Sequence, residues 1–236
     1  MKLRFFIVFL IVTCITAPLE GCTRSKVETT LETISIDMAL VKEDLTLKDL
    51  KKMNGGQVKI IYCTDADIPR DISGTFSTRK VFTAEDAVYA LLSVRSFMQI
   101  GDASFTCTEI DDSGKNRSFQ LQQVYKGIAV DNGHFLIVAS KVEGNTIGVT
   151  GLYQHVPDLD VNPKISMKKA RKAFKLKWGT KITRSQLVVL GDGVSELGDR
   201  LAWKFIVSGR DPMDDKLVYV DAITGNIISE YYTSMS

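Results

Sequence analysis

The chain has 236 residues, 30 of them Lys or Arg and 28 Asp or Glu, with 44% apolar and 25% charged residues. That balance is ordinary for a packed globular protein and excludes a disordered, collagen-like or polytopic membrane chain. Two His and four Cys are too few for a His-rich metal site or a disulfide-dense scaffold.

Lys2 and Arg4 open the chain, and residues 5–19 then carry no charge. The run is shorter than the roughly 20 apolar residues of a spanning helix, and its basic start makes residues 1–21 read as a secretory signal. It ends Pro18-Leu19-Glu20-Gly21-Cys22, which resembles a bacterial lipobox, with Leu19 three before the cysteine and Gly21 just before it. The resemblance implies cleavage before Cys22, lipid on its sulfur, and residence on the outer face of the cell membrane. Two acyl chains anchor durably where one does not. Glu20 departs from the small residue usual there. The alternative is an uncleaved segment, or a cut elsewhere that leaves Cys22 incidental and the protein secreted.

Residues 22–56 read as a polar, Thr/Glu-rich tether followed by a short helix. Thr46 with Asp49 three residues on is a capping box, and Gly55 is the stop. Residues 57–63 read as a strand, and 64–80, with Pro69 and Gly74, as loop plus edge. Thr83 and Asp86 open the clearest helix, in which Val88, Leu91, Leu92 and Met98 recur at helical spacing up to Gly101. The period then changes to two. Strands are expected at 104–110, 117–126 and 134–140, with a hairpin turn at Glu143-Gly144-Asn145 and a return to Gln154.

Residues 157–165, with Pro157 and Pro163, are a linker. Ser166 caps an expected second helix, SMKKARKAFKLKWG, with Met167, Ala170, Phe174 and Trp178 on one face. Strands follow at 186–190, 201–207, 216–221 and 227–228. Asp221 and Thr224 are expected to bond local backbone in the turn before the last strand. The expected fold class is α+β, with two successive lobes, 57–156 and 166–236, each an antiparallel meander sheet with a helix packed on one face.

Loss of residues 1–21 removes Lys2, Arg4 and Glu20, so 28 basic and 27 acidic residues remain. Such a near-neutral chain carries no nucleic-acid footprint. The charge is nonetheless uneven: residues 161–185 hold nine basic residues and no acidic one. Lys168, Lys169, Arg171, Lys172 and Lys175 form a candidate patch for anionic lipid headgroups or wall polymers; the alternative is a solvated face balanced by acidic neighbours. Cys63 and Cys107 are either a disulfide of an exported protein or two small buried apolar groups. No His-Glu-x-x-His occurs, and His134 and His155 lie far apart in strand-like contexts, so no metal is expected. Neither a nucleophile–base pair nor a cofactor motif is visible, and no catalytic residue is assigned.

Residues 119–137, FQLQQVYKGIAVDNGHFLI, resemble the fungalysin/thermolysin propeptide module, whose strand ends Gln-Gln-x-Tyr-x-Gly-Ile before a turn with Gly-Gly; Gln122, Gln123, Tyr125, Gly127 and Ile128 match, and Asn132-Gly133 stands at the turn. Lys164-Ile165-Ser166, Leu201-Ala202-Trp203 and the run from Tyr219 to Ile227 resemble a PepSY module. Together the two patterns cover roughly residues 70–230 in the family's order. In the proenzymes such a pair precedes a zinc peptidase as its inhibitor and folding helper. The resemblance implies a non-catalytic protein that binds an extracytoplasmic metallopeptidase in trans, with Tyr125, Gly127, Asn132, Gly133, Tyr231 and Tyr232 as candidate partner-binding residues. The alternative is an envelope interaction scaffold with no peptidase contact.

Overall fold

The computed structural model describes residues 33–63, 67–102, 104–191 and 199–232. The leader and Cys22 lie outside the described residues. Both capping boxes form. Helix α1 (Leu47–Met53) starts where Thr46 Oγ1 accepts from the Asp49 amide and the Asp49 carboxylate accepts from the Thr46 amide. Helix α2 (Ala84–Leu92) repeats the device with Thr83 and Asp86. Burial alone would raise the Asp86 carboxyl, but hydrogen bonds from Thr83, Arg79 and the Phe82 amide prevail and hold it below the usual carboxylate range. The helix stops well before Gly101 because Ser93 Oγ bonds back to the carbonyls of Tyr89 and Ala90, after which the chain continues in turns.

Strands β1 (Thr33–Ile34), β2 (Lys59–Tyr62), β3 (Pro69–Ser73), β4 (Ser104–Asp111), β5 (Asn116–Tyr125), β6 (Ile128–Ser140) and β7 (Thr146–Leu152) form a first sheet in the order β1-β4-β5-β6-β7-β3-β2. All its pairs are antiparallel. Two of these strands differ from the sequence reading. β1 comes from the expected tether, drawn in because Ile34, Ile36 and Met38 pack on the core and Val41 is buried in it. β3 is an interior strand where a loop and edge were expected. Pro69 is its first residue, where a missing N–H breaks little of the ladder, and Ile72 supplies the buried side chain. Alternation sends Phe105, Phe119, Leu121, Phe135 and Ile137 into the core beneath α2, with the Phe105 and Phe135 rings edge-on at 5.9 Å. Each such fully buried side chain contributes roughly 1.5–3 kcal/mol.

The second helix is much shorter than expected. Helix α3 (Met167–Ala170) is followed by one 3-10 turn over Arg171–Ala173, and Phe174 is already extended. Lys168 and Lys169 stand against the positive end of the helix dipole, and Lys168/Lys172 and Arg171/Lys175 are like-charged pairs at i,i+4. Ala170 and Phe174 are buried as expected, but Met167 at the helix start and Trp178 beyond the turn are exposed, so only the middle of the predicted common face packs. The strands β8 (Lys181–Leu190), β9 (Arg200–Ser208), β10 (Lys216–Asp221) and β11 (Ile227–Tyr232) form an antiparallel meander, and Phe174 packs on Phe205 at 5.2 Å.

The two meanders are not separate. Val130 and Asp131 of β6 pair in parallel with Val189 and Leu190 of β8, which makes one mixed eleven-stranded sheet. A cluster of Val130, Val189, Leu201 and Ala222 fills the joint, with Tyr125, Val156 at the end of the first lobe and the linker residue Leu159 against it. The architecture is α+β. Cys63 and Cys107 are free thiols. Cys63 follows β2 and Cys107 lies on β4, with β3, β7, β6 and β5 between them. At about 4.8 Å per strand that separation is far beyond the reach of a disulfide, so the paired alternative is corrected.

Candidate interaction site

The Gln-Gln-x-Tyr-x-Gly-Ile segment builds the joint from its backbone upward. Lys126 (φ 46) and Gly127 (φ 84) are both left-handed, as a tight two-residue turn between β5 and β6 requires. Three residues further, the β5–β6 register slips between Gln122/His134 and Val124/Ala129. The slack is a bulge over Asp131, Asn132 and Gly133, with Asn132 at φ 61. Gln122 closes it, since its side-chain amide donates to the carbonyls of Val130 (2.6 Å) and Gly133 (2.8 Å). Gln123 reaches the other way: its Oε1 accepts from the Gln154 amide at 2.9 Å, and its Nε2 donates to the Gln154 carbonyl at 2.8 Å. A Cβ on Gly133 would stand 2.9 Å from Gln123 Cβ, so a glycine is needed under this clamp.

Tyr125 belongs to the same device. Its hydroxyl accepts from the Leu159 amide at 3.0 Å, and Lys126 Nζ bonds the Asp158 carboxylate at 2.7 Å. These contacts give Tyr125, Gly127 and Gly133 internal roles: they pin the linker and shape the bulge. Asn132 and Gly127 are the members of that set that lie on an open surface. Of the C-terminal pair, Tyr231 stands edge-on to Tyr219 at 6.1 Å and Tyr232 is exposed, both on the outer strand β11. The structure does not bring these six residues together.

The bulge aims Asp131 inward, and there it finds partners from the second lobe. Lys204 Nζ of β9 donates to Asp131 Oδ1 at 2.6 Å, and the Tyr219 hydroxyl of β10 donates to Oδ2 at 2.6 Å. The Asp131 and Lys204 side chains are only 7% and 16% exposed. Burial, then the hydrogen bond to Asp131 and that carboxylate's charge, push the Tyr219 phenol well above its ordinary value of 10.0. A raised value means that the folded state holds the proton longer than the unfolded one. The stability from Tyr219 is complete below pH 10 and is lost as pH rises above it. Tyr219→Phe should therefore flatten the alkaline limb of a stability-versus-pH curve measured by urea unfolding. An unchanged loss above pH 10 would contradict this assignment.

With α2 and the core on one side, the other face of the first sheet is left uncovered. Its strands present rows of Thr106, Gln122 and His134, and of Gln120, Leu136 and Thr150. A groove of about 930 Å³ runs over this face, with Arg70 and Asn132 at its borders. A second hollow of about 570 Å³ shares Thr108 and Gln122 with it and continues to Asp131, Lys204 and Arg184. His134 is thus an exposed residue of the groove, and His155 stands edge-on to Tyr153 at 6.0 Å. Among the described residues no group of three or more His, Cys, Asp or Glu is placed to hold a metal ion, and no helix is long and apolar enough to cross a membrane.

Sequence reasoning missed the triad of Asp131, Lys204 and Tyr219, because Asp-Asn-Gly reads as an ordinary turn. It did place Asp221, whose Oδ1 accepts from the amides of Ile223 and Thr224 at 2.8 Å each. The Asp221 Oδ2 also meets Arg200 at 3.2 Å.

Fold and site together define an α+β protein with one helix-covered and one open sheet face, locked to a second meander by a buried charge. No protein-family model matches the chain, and no curated protein matches it. Among solved structures it is similar to the Bacillus megaterium YpeB C-terminal domain, at 14% identity and a TM-score of 0.39, over 80% of this chain and 98% of that chain. A likeness of that degree fixes neither family nor function.

Proposed function

We propose that this chain is a membrane-tethered, non-catalytic, propeptide-like protein. It binds an extracytoplasmic metallopeptidase in trans and inhibits it or assists its folding. The observation that carries this reading is the open groove over Gln120, Gln122, His134, Leu136 and Thr150, a largely polar sheet face, exposed at Gln120 and His134 and half-buried at the other three, where neighbouring elements leave room for a partner. The half-bare edge of β4, of which β1 covers only Phe105 and Thr106, adds a route by strand addition. The sequence resemblance supplies the peptidase class, and the lipobox-like segment supplies the tether. Localisation on the outer face of the cell membrane is part of the same proposal.

Titration of the protein against thermolysin-like metallopeptidases tests it. Slow, tight inhibition is expected, and the variant with Gln120→Trp and Thr150→Trp, which fills the groove, should weaken it by at least about tenfold, or 1.4 kcal/mol. Absence of any effect on the rate or refolding yield of the extracytoplasmic peptidases of the same cell would overturn the reading.

A further inference from the structure

Residues 161–191 contain no acidic residue. Lys164, Lys168, Lys169, Lys172, Lys175 and Lys181 are exposed, and none of them has a salt bridge among the described residues. Within this run the turn after Phe174 does something the sequence pattern did not foresee. Thr180 bonds the Lys177 carbonyl through both its amide (3.1 Å) and its hydroxyl (2.7 Å), and Gly179 is left-handed at φ 82. This closed turn holds Trp178 outward, 88% exposed, with the Arg210 guanidinium 5.7 Å from its ring centroid. Carboxylates stand close by, but each is engaged locally: Asp214 pairs with Lys177 at 2.5 Å, Asp211 accepts from the Met213 amide, and Asp215 from the Gly209 amide.

We propose that Trp178 and the lysines flanking it form an interfacial anchor for anionic lipid headgroups. An indole held rigidly in water beside unpaired cations is the pairing found at the headgroup level of membranes: the ring enters the acyl boundary while the lysines meet phosphate. A wall polyanion would satisfy the lysines but offers no apolar phase to the indole, whereas the headgroup boundary of an anionic bilayer offers both, which decides for lipid. The anchor is a loop-borne patch rather than an amphipathic helix, because α3 is a single turn. It is independent of the peptidase reading and of lipid on Cys22.

The test uses residues 31–236, a compact unit that holds all four core clusters within itself. Vesicles of phosphatidylcholine, with and without phosphatidylglycerol, are floated with it at low and high salt. Binding only to the phosphatidylglycerol vesicles is expected, together with a salt-sensitive blue shift of tryptophan emission. Trp203 is a constant background, because its indole is tied to the Ile165 carbonyl at 2.7 Å. Each cation near an anionic surface is worth about fivefold, so Lys172→Gln with Lys175→Gln should cut partition roughly 25-fold. Trp178→Ser should abolish the shift, with the unfolding midpoint of both variants unchanged. Equal binding to both vesicle types overturns the proposal. So does binding that leaves the Trp178 emission unmoved, or tighter binding to teichoic acid or polyglutamate than to vesicles, either of which assigns the lysines to a polyanion.

Discussion

Asp131→Ala is expected to cost about 3–5 kcal/mol, because it leaves Lys204 buried without its carboxylate and strips the Tyr219 hydroxyl of its acceptor. A domain of this kind is stable by only about 5–15 kcal/mol, so the loss should move the urea midpoint far. The cause is desolvation rather than attraction. In the intact protein the pair offsets the cost of its own burial, and removal of one partner leaves the other uncompensated. Two controls separate these effects. Asp131→Leu with Lys204→Met removes both charges and should recover most of the stability. Lys126→Ala, which breaks a pair whose Asp158 side chain is 93% exposed, should leave the midpoint within error. Because Asp131 sits where β6 passes from one meander to the other, Asp131→Ala should also speed proteolysis in the linker over residues 157–165. An Asp131→Ala midpoint close to that of the intact protein would remove the triad from its place as the lock between the lobes.

What was legible in the sequence follows from the range of the interactions concerned. Thr46/Asp49 and Thr83/Asp86 satisfy their hydrogen bonds within one turn, and the sequence reading placed both helix starts. The alternating Phe119 and Leu121, and the Asp221 turn, are equally local. The length of the second helix is misread when apolar spacing at Met167, Ala170, Phe174 and Trp178 is followed without weighing the like charges between them, which are equally visible in the sequence. β3 and β1 were hidden for another reason. Each is stabilised by neighbours distant in sequence, Val149 and Thr150 for β3 and Phe105 and Thr106 for β1; β3 carries the strand-disfavouring Pro69 and Asp71, and β1 is only two residues long. The candidate groove was partly visible: Gln122 and Asn132 lie in the recognised motif, but Gln120, Leu136 and Thr150 meet only through register. The Asp131–Lys204–Tyr219 cluster spans 73 and 88 residues of chain, and nothing near any one of the three announces the others.

Gly151→Ala should be the most damaging single methyl group added to the sheet. Gly151 lies on β7 opposite Phe135, with φ 149, a conformation that L side chains rarely adopt. A Cβ there would run into the His134 carbonyl oxygen and stand 2.7 Å from Phe135 Cα, which is backbone and cannot swing aside. Strain of about 1–3 kcal/mol and overpacking of about 1–3 kcal/mol act together, for an expected loss near 4 kcal/mol. Gly127→Ala separates the two contributions. Its φ is 84 but nothing lies within 4 Å of the added carbon, so only the left-handed cost of about 1–2 kcal/mol remains. If the groove takes the proposed partner, the position matters for binding too, because β7 approaches β6 closely at Gly151, which lines the groove beside Leu152 and His134. Pushing β7 outward should therefore weaken partner binding beyond what lost stability explains, in a comparison at temperatures where both proteins remain folded. Urea unfolding of the two alanine variants decides the structural part: equal losses would mean that the close crossing of β6 and β7 is not what demands glycine.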